Sequence, residues 1–182
     1  MIIAITGVSC TGKTTIANIL ARRINAKVIS LSEFVKEYNV YLKYDEKRKC
    51  YVVDEDVLRE KFREFVGKLS ERNLIVEGIL AYCIPADIVI VLRTNPEILK
   101  NRLIHRYGNN ELKIKENVEA EIVAYCTCKA LEYSNNVFEI DTTKSIDACI
   151  SEIIEVLSGK NHEKYKPRID WGSAYIGIDK SM

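Results

Sequence analysis

Eight residues near the start of the chain, Gly7-Val8-Ser9-Cys10-Thr11-Gly12-Lys13-Thr14, bring together the types that hold a polyphosphate. Gly7 and Gly12 permit a tight backbone path through Thr11, so successive N–H groups can turn inward on an anion. Lys13 carries a mobile positive charge to the β- and γ-phosphates, and the Thr14 hydroxyl can ligate Mg²⁺. The pattern implies binding of a nucleoside triphosphate such as ATP, with Mg²⁺.

What happens to the phosphate depends on other groups. Arg102 and Arg106 are spaced to share one helix face. Arg106 leads directly into Tyr107-Gly108, and a helix that carries arginines into a loop can close a lid over a nucleotide. A planar guanidinium can clamp a phosphoryl group in transfer. Arg93 ends a strand at the carboxyl edge of the expected sheet, where it faces either a phosphate or a neighbouring acid. Glu77 ends another strand at that edge, where its carboxylate can orient Mg²⁺ through waters, position a nucleophile or cap the turn at Gly78. Asp45, Asp54 and Asp56 could meet a substrate, although helix capping explains Asp54 and Asp56 equally well. His105 reads as a residue at the lid edge.

These groups need a scaffold, and the hydrophobic pattern supplies one. Residues 2–6 form an apolar, β-branched run ahead of the glycine loop, and residues 13–24 place Ile16, Ile19, Leu20 and Ile24 on one helical face. Strand, loop and helix N-terminus together make an anion site. Further strands are expected at residues 26–31, 74–77, 88–92 and 137–140. Between them fall a short helix capped by Ser32, a helix from about 54 to 69, one from about 96 to 106, a long one from about 114 to 133, and one from about 145 to 157. Residues 38–50 lack a clean period and read as an irregular excursion dense in tyrosine and charge. The alternation predicts an α/β fold: a doubly wound, five-stranded parallel sheet covered by helices on both faces.

At 182 residues the chain suits a single domain. Its net charge of +1 gives no global attraction to nucleic acid. No apolar stretch reaches membrane-spanning length, and residues 1–6 already belong to the first strand, so no signal peptide is expected. Six cysteines without a C-x-x-C pair read as reduced thiols of a cytoplasmic protein rather than as a zinc site. Cys10 stands apart because it lies at a helix N-terminus inside the phosphate loop.

Taken together, the sequence resembles the CINAP-type adenylate kinases, also called adenylate kinase isoenzyme 6, and their archaeal relatives. The resemblance spans roughly residues 1–158. It rests on Gly7–Thr15, on Tyr44-Asp45-Glu46 followed by Cys50 and Asp54-Glu55-Asp56, and on Val91-Leu92-Arg93-Thr94. It rests also on Arg102-Leu103-x-x-Arg106 with Tyr107-Gly108, and on Asn117 with Glu121-Ile122. It implies a P-loop kinase with a nucleoside monophosphate region at about 30–53, a lid at about 105–116 and a tail at 160–182. The matching ATP positions are Cys10, Gly12, Lys13, Thr14, Thr15 and Arg106. The resemblance further implies AMP or a related monophosphate as acceptor, some ATPase activity, and a role in small ribosomal subunit maturation through one of its proteins. Two positions depart from the pattern: Glu77-Gly78-Ile79 stands where Asp-x-His is usual, and Cys10 where glycine is commoner. The tail, with Tyr165, Trp171 and Tyr175, either packs on the sheet edge or meets a partner.

Overall fold

A computed structural model describes residues 1–71 and 73–173. Its central sheet has five parallel strands in the order β2-β5-β1-β6-β7, where β1 is Ile2–Thr6, β2 Lys27–Ser30, β5 Leu74–Glu77, β6 Ile88–Arg93 and β7 Val137–Asp141. The chain starts in the middle strand and leaves it toward both edges. The strand order therefore reverses at β1, and the carboxyl ends of β1, β5 and β6 frame the crevice where such sheets bind ligands.

The two-residue period of the strands sorts their side chains onto two faces. Ile3, Ile5, Ile75, Ile90, Leu92 and Phe138 pack against α1 (Lys13–Ile24) and α7 (Ile146–Leu157) through Ile16, Leu20, Ile150 and Ile153. Ala4, Val76, Val89, Val91 and Val137 face the opposite core, which also contains Phe34 of α2 (Leu31–Glu37) and Phe62 of α3 (Glu55–Val66). α4 (Pro96–Tyr107), α5 (Glu111–Ile122) and α6 (Tyr125–Tyr133) complete that layer through Leu99, Leu103, Val118 and Ala130. Both faces are thus covered, and this explains why the central strands are apolar without interruption.

Four sequence expectations are corrected. The short helix begins at Leu31, with Ser30 rather than Ser32 at its cap. Residues 38–50 are not wholly irregular, because β3 (Lys43–Asp45) and β4 (Cys50–Val52) form an antiparallel hairpin that pairs Tyr44 with Tyr51. The hairpin turn is closed by the Arg48 N–H donating to Asp45 Oδ1. The expected loop at 107–113 ends early, since the Asn110 side chain caps α5 through the Lys113 N–H.

The long helix to Tyr133 is instead two helices, α5 and α6, separated by Ala124 at φ 53°. At the break the Glu121 carbonyl accepts from the Ala124 N–H at 3.1 Å, which tightens the last turn of α5, and from Arg93 Nη2 at 2.8 Å.

The described part of the tail packs on its own chain. Tyr165, in α8 (His162–Tyr165), is 1% exposed and donates to Glu155 Oε2. Trp171 Nε1 donates to Glu121 Oε1. Tyr175 lies outside the described residues.

Candidate nucleotide site

The phosphate loop joins β1 to α1, and its path is held at several points. Gly7 has φ 140°, and a Cβ there would stand 2.6 Å from the Leu92 carbonyl oxygen and 2.9 Å from Thr11 Oγ1. Only glycine lets the loop leave β1 this close to β6. Cys10 and Gly12 also have positive φ, 67° and 94°. The Val8 carbonyl accepts from Thr11 Oγ1 at 3.0 Å and from Lys13 Nζ at 2.7 Å. Thr6 Oγ1 ties the end of β1 to the Ile79 carbonyl.

α1 starts without a side-chain cap and with no acid in its first turn. Its leading N–H groups and the positive end of its dipole are therefore left to an anion. Thr14 and Thr15 are exposed in that turn. Amides, ammonium and hydroxyl together form a donor set that fits a triphosphate with its Mg²⁺. Among the described residues no cluster of histidine, cysteine and carboxylate could hold a metal without such a ligand.

Lys13 lies within the field of several groups. Burial of its ammonium pulls its pKa below the ordinary lysine value; Cys126, Glu77 and Cys10 oppose that shift, and Arg106 adds to it. Glu77, 7% exposed, closes β5 beside β1, so the carboxylate and the loop lysine stand at one sheet edge. Cys126 is buried, which pushes its thiol up to about 11, so it remains a neutral thiol at neutral pH.

Arg106 sits exposed in the last turn of α4, its guanidinium 5.6 Å from the Tyr107 ring centre. It also lines a cleft of about 770 Å³ together with Ser32, Lys36, Tyr44, Lys49 and Tyr51. The floor of that cleft is apolar, with Leu31, Val35, Val53 and Leu80, and among the described residues no carboxylate lines it. Tyr51 stands 4.6 Å from Tyr41 and 5.1 Å from Tyr44, and Lys36 lies over its ring. Three cations and a tyrosine wall can receive a flat ring that carries an anion.

The other two arginines do not join Arg106. Arg102 is half-buried and donates to the Thr142 carbonyl beyond β7 at 3.0 Å. Arg93 is 1% exposed and pairs with two acids, with Nε on Glu121 Oε1 at 2.8 Å and Nη1 on Glu139 Oε1. Of the two partners the sequence left open for Arg93, the structure therefore gives it the neighbouring acids. Glu139 also accepts from Thr127 and from the N–H groups of Arg168 and Ile169. Asp54 caps α3 through the N–H groups of Asp56 and Val57, and Asp45 receives the hairpin arginine Arg48. His105 is exposed on α4.

Sequence reasoning assigned no role to three contacts that shape this site. The Asn117 side chain accepts from the Ser9 N–H, Glu116 pairs with Arg48 at 2.8 Å, and Cys126 lies beside Lys13. All three bring α5 or α6 to segments far away in the chain. No local pattern announces such contacts.

Comparison with known proteins bears on the fold and the family. Residues 3–124 match the family model described as AAA domain. A protein of Methanocaldococcus jannaschii named "Putative adenylate kinase" is 39% identical over 97% of this chain and 96% of its own. A protein of the same name from Methanosarcina barkeri is 42% identical over 94% of this chain and 97% of its own. Among solved structures, shikimate kinase from Bacteroides thetaiotaomicron superposes with a TM-score of 0.56 at 19% identity, covering 87% of this chain and 98% of its own. A gluconokinase from Sinorhizobium meliloti gives 0.52 at 14% identity, over 86% and 91%. These two likenesses concern the fold alone, that of P-loop kinases. The chain belongs to the family of P-loop proteins whose archaeal members carry the adenylate kinase name.

Proposed function

We propose that the protein is a Mg²⁺-dependent adenylate kinase that moves the γ-phosphoryl of ATP to AMP or a related nucleoside monophosphate. One observation carries this reading. Arg106 acts electrostatically on Lys13 and also lines the cationic, tyrosine-walled cleft. A single guanidinium thus lines a cavity suited to an acceptor, and its charge is felt by the lysine of the donor loop. The relatives' name points the same way.

In this reading the acceptor region spans about 30–53 and the lid about 105–116. Loop amides and Lys13 hold the donor phosphates, with Gly7, Cys10, Thr11, Gly12 and Thr15 shaping or lining the cradle. Thr14, with Glu77 through waters, would hold Mg²⁺, which would supply charge neutralisation to the transferring phosphate. An oxygen of the acceptor phosphate attacks the γ-phosphorus in line, the bond to the β-bridging oxygen breaks, and ADP leaves. Arg106 neutralises charge on the moving group. Arg102, one turn before Arg106 on α4, acts by orienting that helix against the loop after β7. Positioning and electrostatics suffice, and no covalent enzyme intermediate forms. The lid must exclude water, which would otherwise hydrolyse ATP.

A second reading is an ATP-dependent switch that binds a small-subunit ribosomal protein in the cytoplasm, with ATPase turnover used for release. It is favoured by the exposed Tyr38, Tyr41, Leu42 and Tyr44 around the hairpin. The absence of a histidine from Glu77-Gly78-Ile79 favours transfer over hydrolysis. A panel of monophosphates, and a separate arm with a basic ribosomal protein, distinguishes the two. ADP formation that rises strongly with AMP and vanishes in Lys13→Ala supports the kinase. Slow turnover that ignores every monophosphate but rises with the ribosomal protein supports the switch.

A further inference from the structure

One stripe of α5 touches three separate parts of the site. Lys113 Nζ donates to the Arg48 carbonyl of the hairpin at 3.2 Å. Asn117 Oδ1 accepts from the Ser9 N–H of the phosphate loop at 2.9 Å. Glu121 Oε1 accepts from the Thr94 N–H beyond β6 at 3.0 Å. These positions recur every fourth residue, so they share one helix face. Of the three, only Asn117 reaches the loop itself.

The asparagine amide has a single workable orientation. Its Nδ2 donates to the Lys113 carbonyl at 2.7 Å, which leaves Oδ1 facing the loop. A flipped amide would set NH₂ against the Ser9 N–H and break both bonds. Glu121, anchored on Arg93, fixes the helix one turn further along, so the asparagine is delivered from a rigid support. Opposite it, Lys13 and Thr11 pull on the carbonyl of Val8. The peptide units around Val8 and Ser9 are therefore held from both sides, immediately ahead of the residues whose amides face the nucleotide.

We propose that Asn117 is a positioning residue for the donor nucleotide: by holding the Ser9 amide it sets the curvature of the phosphate loop before ATP arrives. The proposal rests on the kinase reading for the identity of the ligand. Asn117 touches no substrate, and its effect passes through the loop backbone. Freeing the Ser9 amide lets the loop sample conformations whose N–H groups no longer converge. ATP must then reorganise the loop on binding, and affinity falls by the cost of that reorganisation.

The test uses the full-length protein, its Asn117→Ala and Asn117→Asp variants, and Glu119→Ala as a control on the exposed face of α5. Hydrogen exchange at the Ser9 amide is followed by NMR, Mg²⁺-ATP affinity by calorimetry, and KM separately for ATP and AMP. For Asn117→Ala we expect faster Ser9 exchange, ATP affinity reduced about tenfold, an unchanged KM for AMP and an unchanged melting temperature. Asn117→Asp keeps the oxygen acceptor and is expected to keep Ser9 protected, so it decides the matter should the alanine variant fail to fold. A folded alanine variant with parental ATP affinity, an equal rise in both KM values, or Ser9 exchange indifferent to Asn117 would each overturn the proposal. Absence of ATP affinity in the parent would instead overturn the kinase reading, and Ser9 exchange would still judge the contact.

Discussion

Two arginines at the same end of the sheet have opposite surroundings. Arg93, where β6 ends, is closed in by Glu121, Glu139 and the backbone of the tail. Arg106, where α4 runs out, is exposed beside the phosphate loop and the cleft. The first has its hydrogen-bonding capacity satisfied by the protein and holds the fold together. The second keeps its donors open to a ligand. Both are arginines at the end of an element, one a strand and the other a helix, so burial and partners decide which is available for chemistry.

The comparison can be broken most sharply at the buried site. Arg93→Met leaves two carboxylates without their cation in the core, a change that costs about 3–5 kcal/mol. For a chain of this size that should lower the melting temperature by roughly 10 °C or more. A melting temperature close to the parent's would mean that the buried ion pairs contribute nothing.

Arg106→Ala should do the reverse. Loss of one preorganised donor to a developing charge typically lowers kcat about 10²-fold or more, with the melting temperature within about 2 °C of the parent. A normal kcat would remove Arg106 from the transfer step. Tyr51→Ala should raise the KM for AMP about tenfold through loss of the ring stack, and leave the KM for ATP unchanged. If the ATP KM rose instead, donor and acceptor sides would have been assigned the wrong way round.

The smallest effect concerns pH. Burial lowers the Lys13 pKa in the free protein. Its charged form, which binds phosphate, is therefore lost as pH rises through a value below that of an ordinary lysine. The kcat/KM for ATP should fall on the alkaline side at that point, because it reports the free enzyme. The kcat profile should bend at higher pH, since bound phosphates favour the ammonium. Coincident alkaline limbs would contradict this assignment.

Much of this was legible in the sequence, for a physical reason. β1, the glycine loop and α1 carry their chemistry in consecutive residues, so strand run, turn glycines and helical period all appear within one short window. The parallel sheet followed from the same alternation. The cleft was harder, because it gathers Ser32, Tyr51 and Arg106 from three segments. The fate of Arg93 was open because both of its partners lie far along the chain, on α5 and β7. The break at Ala124 was hidden for the same cause, since the helical pattern through Cys126 continues while the Glu121 carbonyl that ends α5 takes a distant partner, Arg93.

The central claim is that Lys13 and Arg106 serve a donor loop and an acceptor cleft in one reaction. The direct measurement is the stoichiometry of ADP formation by the purified full-length protein with Mg²⁺, ATP and AMP. The account predicts two ADP for each ATP and AMP consumed, and almost none when AMP is omitted. ADP formation that proceeds equally without AMP, with release of inorganic phosphate, would contradict it.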